Sequence, residues 1–147
     1  MISVAIISCR DNSEKANIDT KRSTMKEEEV TYSGDGVEMK GFIVYNDSVT
    51  GTRPAVLIVP EWWGLNDYVK SRARQLAGLG YVAMAVDMYG GGKQADNPDS
   101  AGKMAGPFYS DPQMAQRRFD AAKEKLLSYK QVDSKRIGAM GYCFGGA

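Results

Sequence analysis

The chain has 147 residues, enough for one domain with a sizeable core and too few for two ordinary ones. Its 19 Lys plus Arg nearly balance 18 Asp plus Glu and no basic cluster alternates with aromatics, so nothing points to nucleic acid and a small-molecule partner is more natural. With two cysteines and no histidine, a Cys/His zinc site is excluded, the thiols at opposite ends of the chain give no disulfide framework, and no cofactor is expected.

The opening run Met1 to Cys9 is apolar but far too short to span a membrane, and it lacks the basic n-region of a signal peptide. Its end, Ile6-Ile7-Ser8-Cys9, resembles the close of a bacterial lipoprotein signal, in which a small residue precedes the cysteine that receives lipid. Two readings stand. In one, Met1 is a start placed too late and the protein is a periplasmic, membrane-anchored lipoprotein held through Cys9. In the other, the segment is a frayed end with an incidental buried cysteine, and the protein is cytoplasmic. Arg10 to Glu29 is charged and nearly devoid of large apolar residues, as a tether would be. Residues 1–28 are therefore read as signal remnant and tether, and 29–147 as folded domain.

Glu29 to Tyr32 and Val37 to Tyr45 read as two strands around the turn signal Ser33-Gly34-Asp35-Gly36, an antiparallel hairpin. Pro54 to Pro60 is a continuous apolar run of strand length, as a strand covered on both faces requires. Asn66 is placed to cap a helix to about Leu79, with Val69, Ala73, Leu76 and Ala77 on one face and Gly80 closing it. Tyr81 to Val86 is the next buried strand. Met88 to Asp111, with three consecutive glycines, two prolines and many small residues, reads as a long loop with at most a helical turn near Ser100 to Met104. Asp111 caps a helix with Pro112 at its first position and Ala115, Phe119, Ala122 and Leu126 along the buried stripe. Arg136 to Tyr142 is a final strand rich in small residues. This order describes βαβ units behind an antiparallel start: an α/β fold with a mostly parallel sheet and right-handed crossovers. Ligands of such sheets bind beyond the carboxyl ends of the strands, where Glu61 to Trp63, Asp87 to Gly92 and Cys143 all fall.

Gly141-Tyr142-Cys143-Phe144-Gly145-Gly146 follows the last strand as a Gly-x-nucleophile-x-Gly-Gly run. A nucleophile at the tip of a sharp strand-to-helix turn takes an unfavourable backbone conformation, and Gly141 and Gly145 remove side chains that would collide there. Gly146 then lets the following helix pack closely. A thiolate suits such a position, since unpaired N–H groups and the helix dipole stabilise it. The Phe144 N–H is the obvious donor to a developing oxyanion, and a second is expected from the loop after the first buried strand, at Trp62. The bland reading of Cys143 is a small apolar residue buried in a glycine-rich turn. A dinucleotide turn fits poorly, because Gly-x-Gly-x-x-Gly needs glycine where Cys143 stands.

Val59-Pro60-Glu61-Trp62-Trp63-Gly64-Leu65-Asn66, Val86-Asp87-Met88-Tyr89 and the cysteine elbow, in this order and spacing, resemble the dienelactone hydrolase family of α/β-hydrolases over about Glu29 to Ala147. The resemblance implies hydrolysis of lactones or activated esters through a Cys-His-Asp triad. It makes Cys143 the nucleophile and Glu61 the acid that contacts the thiol and helps form the thiolate. It places Trp63 and Tyr89 at the substrate pocket, with Trp62 against the elbow. The family pattern has a substrate-binding arginine shortly after the Asp-x-Tyr segment, where this chain has Gly90-Gly91-Gly92-Lys93, read here as a mobile pocket rim with a solvated lysine.

In α/β-hydrolases the acid and the histidine follow the nucleophile on later strands, and these 147 residues contain no histidine. The expectations are a fragment of an active hydrolase, an inactive remnant, or a fold used for binding a small molecule. On the fragment reading, the last strand would be an inner strand short of a neighbour, and the 147-residue chain by itself would be poorly folded and without esterase turnover.

Overall fold

The computed structural model describes residues 24–147; the proposed lipidation site Cys9 and most of the tether lie outside the described residues. Strands β1 (Met25–Gly34) and β2 (Val37–Asn46) form the expected hairpin, closed by Asp35 and Gly36 at φ of 56° and 72°. Two consecutive left-handed residues are what a tight two-residue hairpin loop requires, and Asp-Gly is a pair that supplies them. β1 begins earlier than the alternating pattern suggested, so residues 25–28, read as tether, are strand. Their charges are partnered rather than free: Glu27 with Arg74 at 2.8 Å, and Glu28 with Lys26, Tyr45 and Tyr129. An edge strand tolerates such residues because one row of its backbone groups already faces solvent.

Strands β3 (Arg53–Val59), β4 (Val82–Ala85) and β5 (Val132–Gly141) complete a five-stranded sheet in the order β1-β2-β4-β3-β5. β2 runs antiparallel to β4, while β3 is parallel to both β4 and β5. β5 starts at Val132 rather than Arg136, because Val132 pairs with Arg53 across a register shift before the regular ladder resumes at Ala55 and Ile137. Among the described residues the outer edge of β5 has no strand partner, and Gly138 and Ala139 are exposed.

Side-chain alternation along the strands builds a core on each face of the sheet. On one side Phe42, Val44, Ile58, Ala83 and Ala85 meet helix α1 (Asp67–Gly78) through Val69, Ala73 and Ala77. That helix starts where Asn66 accepts a hydrogen bond from the Val69 N–H at 3.1 Å. On the other side Ile43, Tyr45, Leu57 and Met84 pack with Ala122 and Leu126 of helix α3 (Pro112–Leu127).

Between them, the segment read as a long loop is a regular helix, α2 (Pro98–Ser110). Its content of Gly102, Gly106 and Pro107 argues against helix on propensity alone. The ends and one face decide otherwise. Asn97 accepts from the Ser100 N–H at 2.9 Å while the Ser100 hydroxyl accepts from the Asn97 N–H, a reciprocal cap, and Ala101, Ala105 and Phe108 are buried along one stripe.

Candidate active site

The parallel strands β4, β3 and β5 end at the same rim, which brings three short segments together. After β5 the backbone is extended at Tyr142 and then reverses at Cys143, whose φ is 53°. Left-handed backbone costs a residue with a Cβ about 1–3 kcal/mol and persists only where its surroundings enforce it. A 3-10 turn, Cys143–Gly146, follows, with the Gly145 N–H donating to the Tyr142 carbonyl at 3.0 Å. Cys143 is exposed at its tip, against the reading of a buried structural cysteine.

The glycines are where the sequence required them. A Cβ on Gly141 would run into the Gly145 carbonyl, and one on Gly145 would stand 2.6 Å from the Val59 carbonyl oxygen and 2.7 Å from that of Pro60. Gly146 is also close, with an added Cβ 3.3 Å from the Gly141 oxygen. The elbow is therefore seated backbone against backbone on the exit of β3. Glu61 and Trp62 follow Pro60 in the chain.

The loop after β3 closes on itself through the Gly64 N–H and the Glu61 carbonyl at 3.1 Å. Glu61, Trp62 and Trp63 are half-buried there, and the two indoles meet edge to face at 5.3 Å. Trp62 packs against the core that contains Phe144. Neither the Trp62 nor the Phe144 N–H donates to another group among the described residues. Both N–H groups are therefore free among the described residues, and that of Phe144 directly follows Cys143 in the chain.

Tyr89 ties the three segments into one unit. Its hydroxyl donates to the Trp62 carbonyl at 2.9 Å, and its ring lies 5.8 Å from Phe144 and 5.7 Å from Phe108. Burial, followed by the neighbouring Tyr109 and Cys143, pushes that hydroxyl up to about 12, so it remains a donor across the physiological range.

Sequence reasoning missed what holds Tyr89. Asp87 is fully buried, and its carboxylate accepts four backbone N–H groups: Tyr89 and Gly90 on Oδ1 at 2.9 and 2.8 Å, Lys40 and Gly92 on Oδ2 at 2.9 and 2.7 Å. A buried carboxylate with this many donors is well satisfied. Gly90, Gly91 and Gly92, the expected pocket rim, have φ of 90°, 65° and 69°, with Gly90 and Gly92 bound to this carboxylate and the Gly91 N–H donating to the Glu38 carbonyl at 2.8 Å. The signal was an aspartate directly after a buried strand, followed by residues able to take left-handed backbone.

One cavity lies away from the thiol. About 510 Å³ opens between α3 and the end of β5, with Phe108, Phe119, Ala139, Gly141 and Phe144 among its walls, and Cys143, Glu61 and Trp62 are not on it. Among the described residues no three His, Cys, Asp or Glu side chains converge as metal ligands would.

The model of the dienelactone hydrolase family matches residues 39–147. An Aquifex aeolicus protein named "Putative carboxymethylenebutenolidase" is 36% identical over 121 residues, covering 80% of this chain and 51% of its own length. A solved structure of a dienelactone hydrolase-like promiscuous phosphotriesterase from metagenomic libraries superimposes with a TM-score of 0.78 at 36% identity, over 82% of this chain and 50% of the other. A second, named m3DLH, gives a TM-score of 0.80 at 34% identity, over 82% and 50%. The chain thus spans about half the length of the relatives it matches.

Proposed function

Because this chain belongs to the dienelactone hydrolase family and carries half of an α/β-hydrolase fold, we propose that it supplies the nucleophile, its acidic neighbour and the oxyanion donors of a hydrolase for lactones or activated carboxylic esters. The observation that carries the reading is Cys143 in left-handed backbone at the tip of an elbow whose Gly145 rests on the Val59 and Pro60 carbonyls. A strained, exposed thiol held that firmly is pre-organised to attack and does not contribute to packing.

In the proposed reaction the Cys143 thiol first gives up its proton, with Glu61 as the neighbouring carboxylate that promotes the loss. The thiolate Sγ adds to the ester or lactone carbonyl carbon, and the oxyanion is held by the Phe144 and Trp62 N–H groups. The tetrahedral intermediate collapses with cleavage of the C–O bond. An alcohol leaves, or in a lactone stays tethered to the acyl chain, and a thioester remains on Sγ. Water then adds to the thioester, the carboxylic acid is released and Sγ recovers its electron pair. The 147 residues hold no histidine, so in this reading the imidazole that shuttles the proton in both half-reactions is not among them. Trp63 and Tyr89 form the wall of the substrate pocket in this reading. A lipid anchor through Cys9 is a proposal separate from this one.

A second reading is that the protein binds a small ester or lactone without turning it over. The two separate on p-nitrophenyl acetate and δ-valerolactone hydrolysis by the complete protein and by Cys143→Ala. Catalysis predicts turnover that falls by about 10³-fold or more in the variant. Turnover that survives Cys143→Ala removes the thiol from the mechanism, and ligand binding without turnover supports the second reading. The 147-residue chain alone is expected to show negligible turnover.

A further inference from the structure

The two chain neighbours of Cys143 are held from opposite faces of the sheet. Phe144 is buried in the core that packs with α3, where its ring meets those of Tyr89, Phe108 and Tyr109 at 5.8, 5.4 and 5.9 Å. Tyr142 is held from the α1 side by Arg72. Its hydroxyl accepts a hydrogen bond from Arg72 Nη2 at 3.3 Å, and the guanidinium carbon stands 5.9 Å from the centre of its ring.

Arg72 is itself anchored. Its helix packs on the sheet through Val69, Ala73 and Ala77, and its other arm, Nη1, donates to Gln75 Oε1 at 2.6 Å, three residues further along the same helix. Arg72 takes part in no ion pair among the described residues, so a salt bridge does not account for it there. A guanidinium with one arm on Gln75 and the other on Tyr142 has its plane set, which a compact ammonium on a flexible stem does not.

Tyr142 is where the elbow is tied to the strand. Its backbone is extended, with φ of −124° and ψ of 141°, and its carbonyl accepts the Gly145 N–H at 3.0 Å. At the next residue φ is 53°. Left-handed backbone at a residue with a Cβ persists only where the surroundings over-determine it. The direction in which Sγ leaves the chain therefore depends on how firmly both flanks of the turn are fixed. Buried aromatic packing fixes Phe144, whereas Tyr142 is only half-buried and has Arg72 on its hydroxyl.

We infer that Arg72 is a positioning residue for the Cys143 thiol and acts through the Tyr142 hydroxyl. The inference rests on the reading of Cys143 as nucleophile. Releasing one flank of the turn lets the thiol swing away from the line of attack, so a smaller share of the molecules is poised to react while binding of the ester is left alone. Arg72 does not touch the reacting atoms in this role.

The test is a double-mutant cycle on the complete protein: parent, Arg72→Ala, Tyr142→Phe and both changes together. Acetylation of Cys143 by p-nitrophenyl acetate is followed within the first turnover over a range of ester concentrations, and melting temperatures are recorded beside it. Each single change is expected to lower the maximal acetylation rate about tenfold at an unchanged half-saturating ester concentration, as loss of one hydrogen bond to a charged group does, and the double variant is expected to fall no further. Single effects that multiply to about a hundredfold in the double variant overturn the inference. So does a raised half-saturating concentration at an unchanged maximal rate, which would place Arg72 on the substrate. A lower melting temperature with acetylation unchanged in the folded protein assigns the pair to stability alone and likewise overturns it. If Arg72→Ala melts below the assay temperature, Arg72→Lys replaces it under the same criteria. Cys143→Ala separates this inference from the reading it rests on: ester turnover that survives that change, or no turnover by the parent, removes both, whereas turnover that needs Cys143 and is indifferent to Arg72 removes only the positioning role.

Discussion

Replacing Asp87 by asparagine removes one charge and one acceptor oxygen from the most heavily hydrogen-bonded side chain near the site. The aspartate holds Lys40, Tyr89, Gly90 and Gly92 by their N–H groups, two on each oxygen, between 2.7 and 2.9 Å. The asparagine oxygen keeps two of these. Its amide nitrogen then faces the other two donors, and rotation of the side chain only exchanges which pair is lost. At about 1.5–3 kcal/mol for each hydrogen bond to a charged group, two lost bonds cost roughly 3–6 kcal/mol. That is a large share of the ~5–15 kcal/mol that stabilises a typical domain. At about 2–4 °C per kcal/mol for a domain of 150–250 residues, the melting temperature should fall by roughly 6–24 °C. Thermal unfolding of the complete protein, followed by far-ultraviolet circular dichroism, measures it, with exposed Asp120→Asn as a control that should not move. An Asp87→Asn protein that melts within about 2 °C of the parent would show that the four bonds are not what holds this loop.

Three further changes probe the rim. Gly145→Ala puts a Cβ 2.6 Å from the Val59 oxygen, a gap that must open by about 0.8 Å to reach ordinary contact at 3.4 Å, and both neighbours are backbone; kcat/KM on p-nitrophenyl acetate should drop by about 10²-fold, and an unchanged value refutes the close seating. Glu61→Gln should slow both ester hydrolysis and iodoacetamide alkylation of Cys143 by about 10²-fold, whereas slowing of hydrolysis alone would take Glu61 away from thiolate formation. Tyr89 keeps its proton to about pH 12 when folded against 10.0 when free, so folding favours the protonated form. Its contribution is complete below pH 10 and is lost as pH rises towards 12, so Tyr89→Phe should unfold less steeply with pH over that window, and parallel profiles would contradict the assignment.

Where chemistry and period pointed the same way, the sequence was legible. The Asp-Gly hairpin, the apolar run of β3, and the Asn66 and Asp111 caps all appear where their residues place them, as do the three elbow glycines. The errors have two physical sources. α2 was concealed because small residues carry little hydrophobic signal: Ala101 and Ala105 are buried, yet beside Gly102, Gly106 and Pro107 they read as loop. The reciprocal cap of Asn97 and Ser100 was the signal to heed. The start of β1 and the partners of the glycine rim escape a local reading because charged and flexible residues look solvated. Long-range partners decide those cases: Arg74 for Glu27, Tyr45 and Tyr129 for Glu28, and Asp87 for the glycines, which neither local composition nor periodicity reports.

The claim that Cys143 is a nucleophile on a strained elbow is tested most directly by trapping the acyl group. The complete protein, mixed with p-nitrophenyl acetate and quenched in acid within the first turnover, should gain the mass of one acetyl group, and peptide mapping should place it on Cys143. An unmodified Cys143 during active turnover, or an acetyl group on another residue at the same rate, would contradict it.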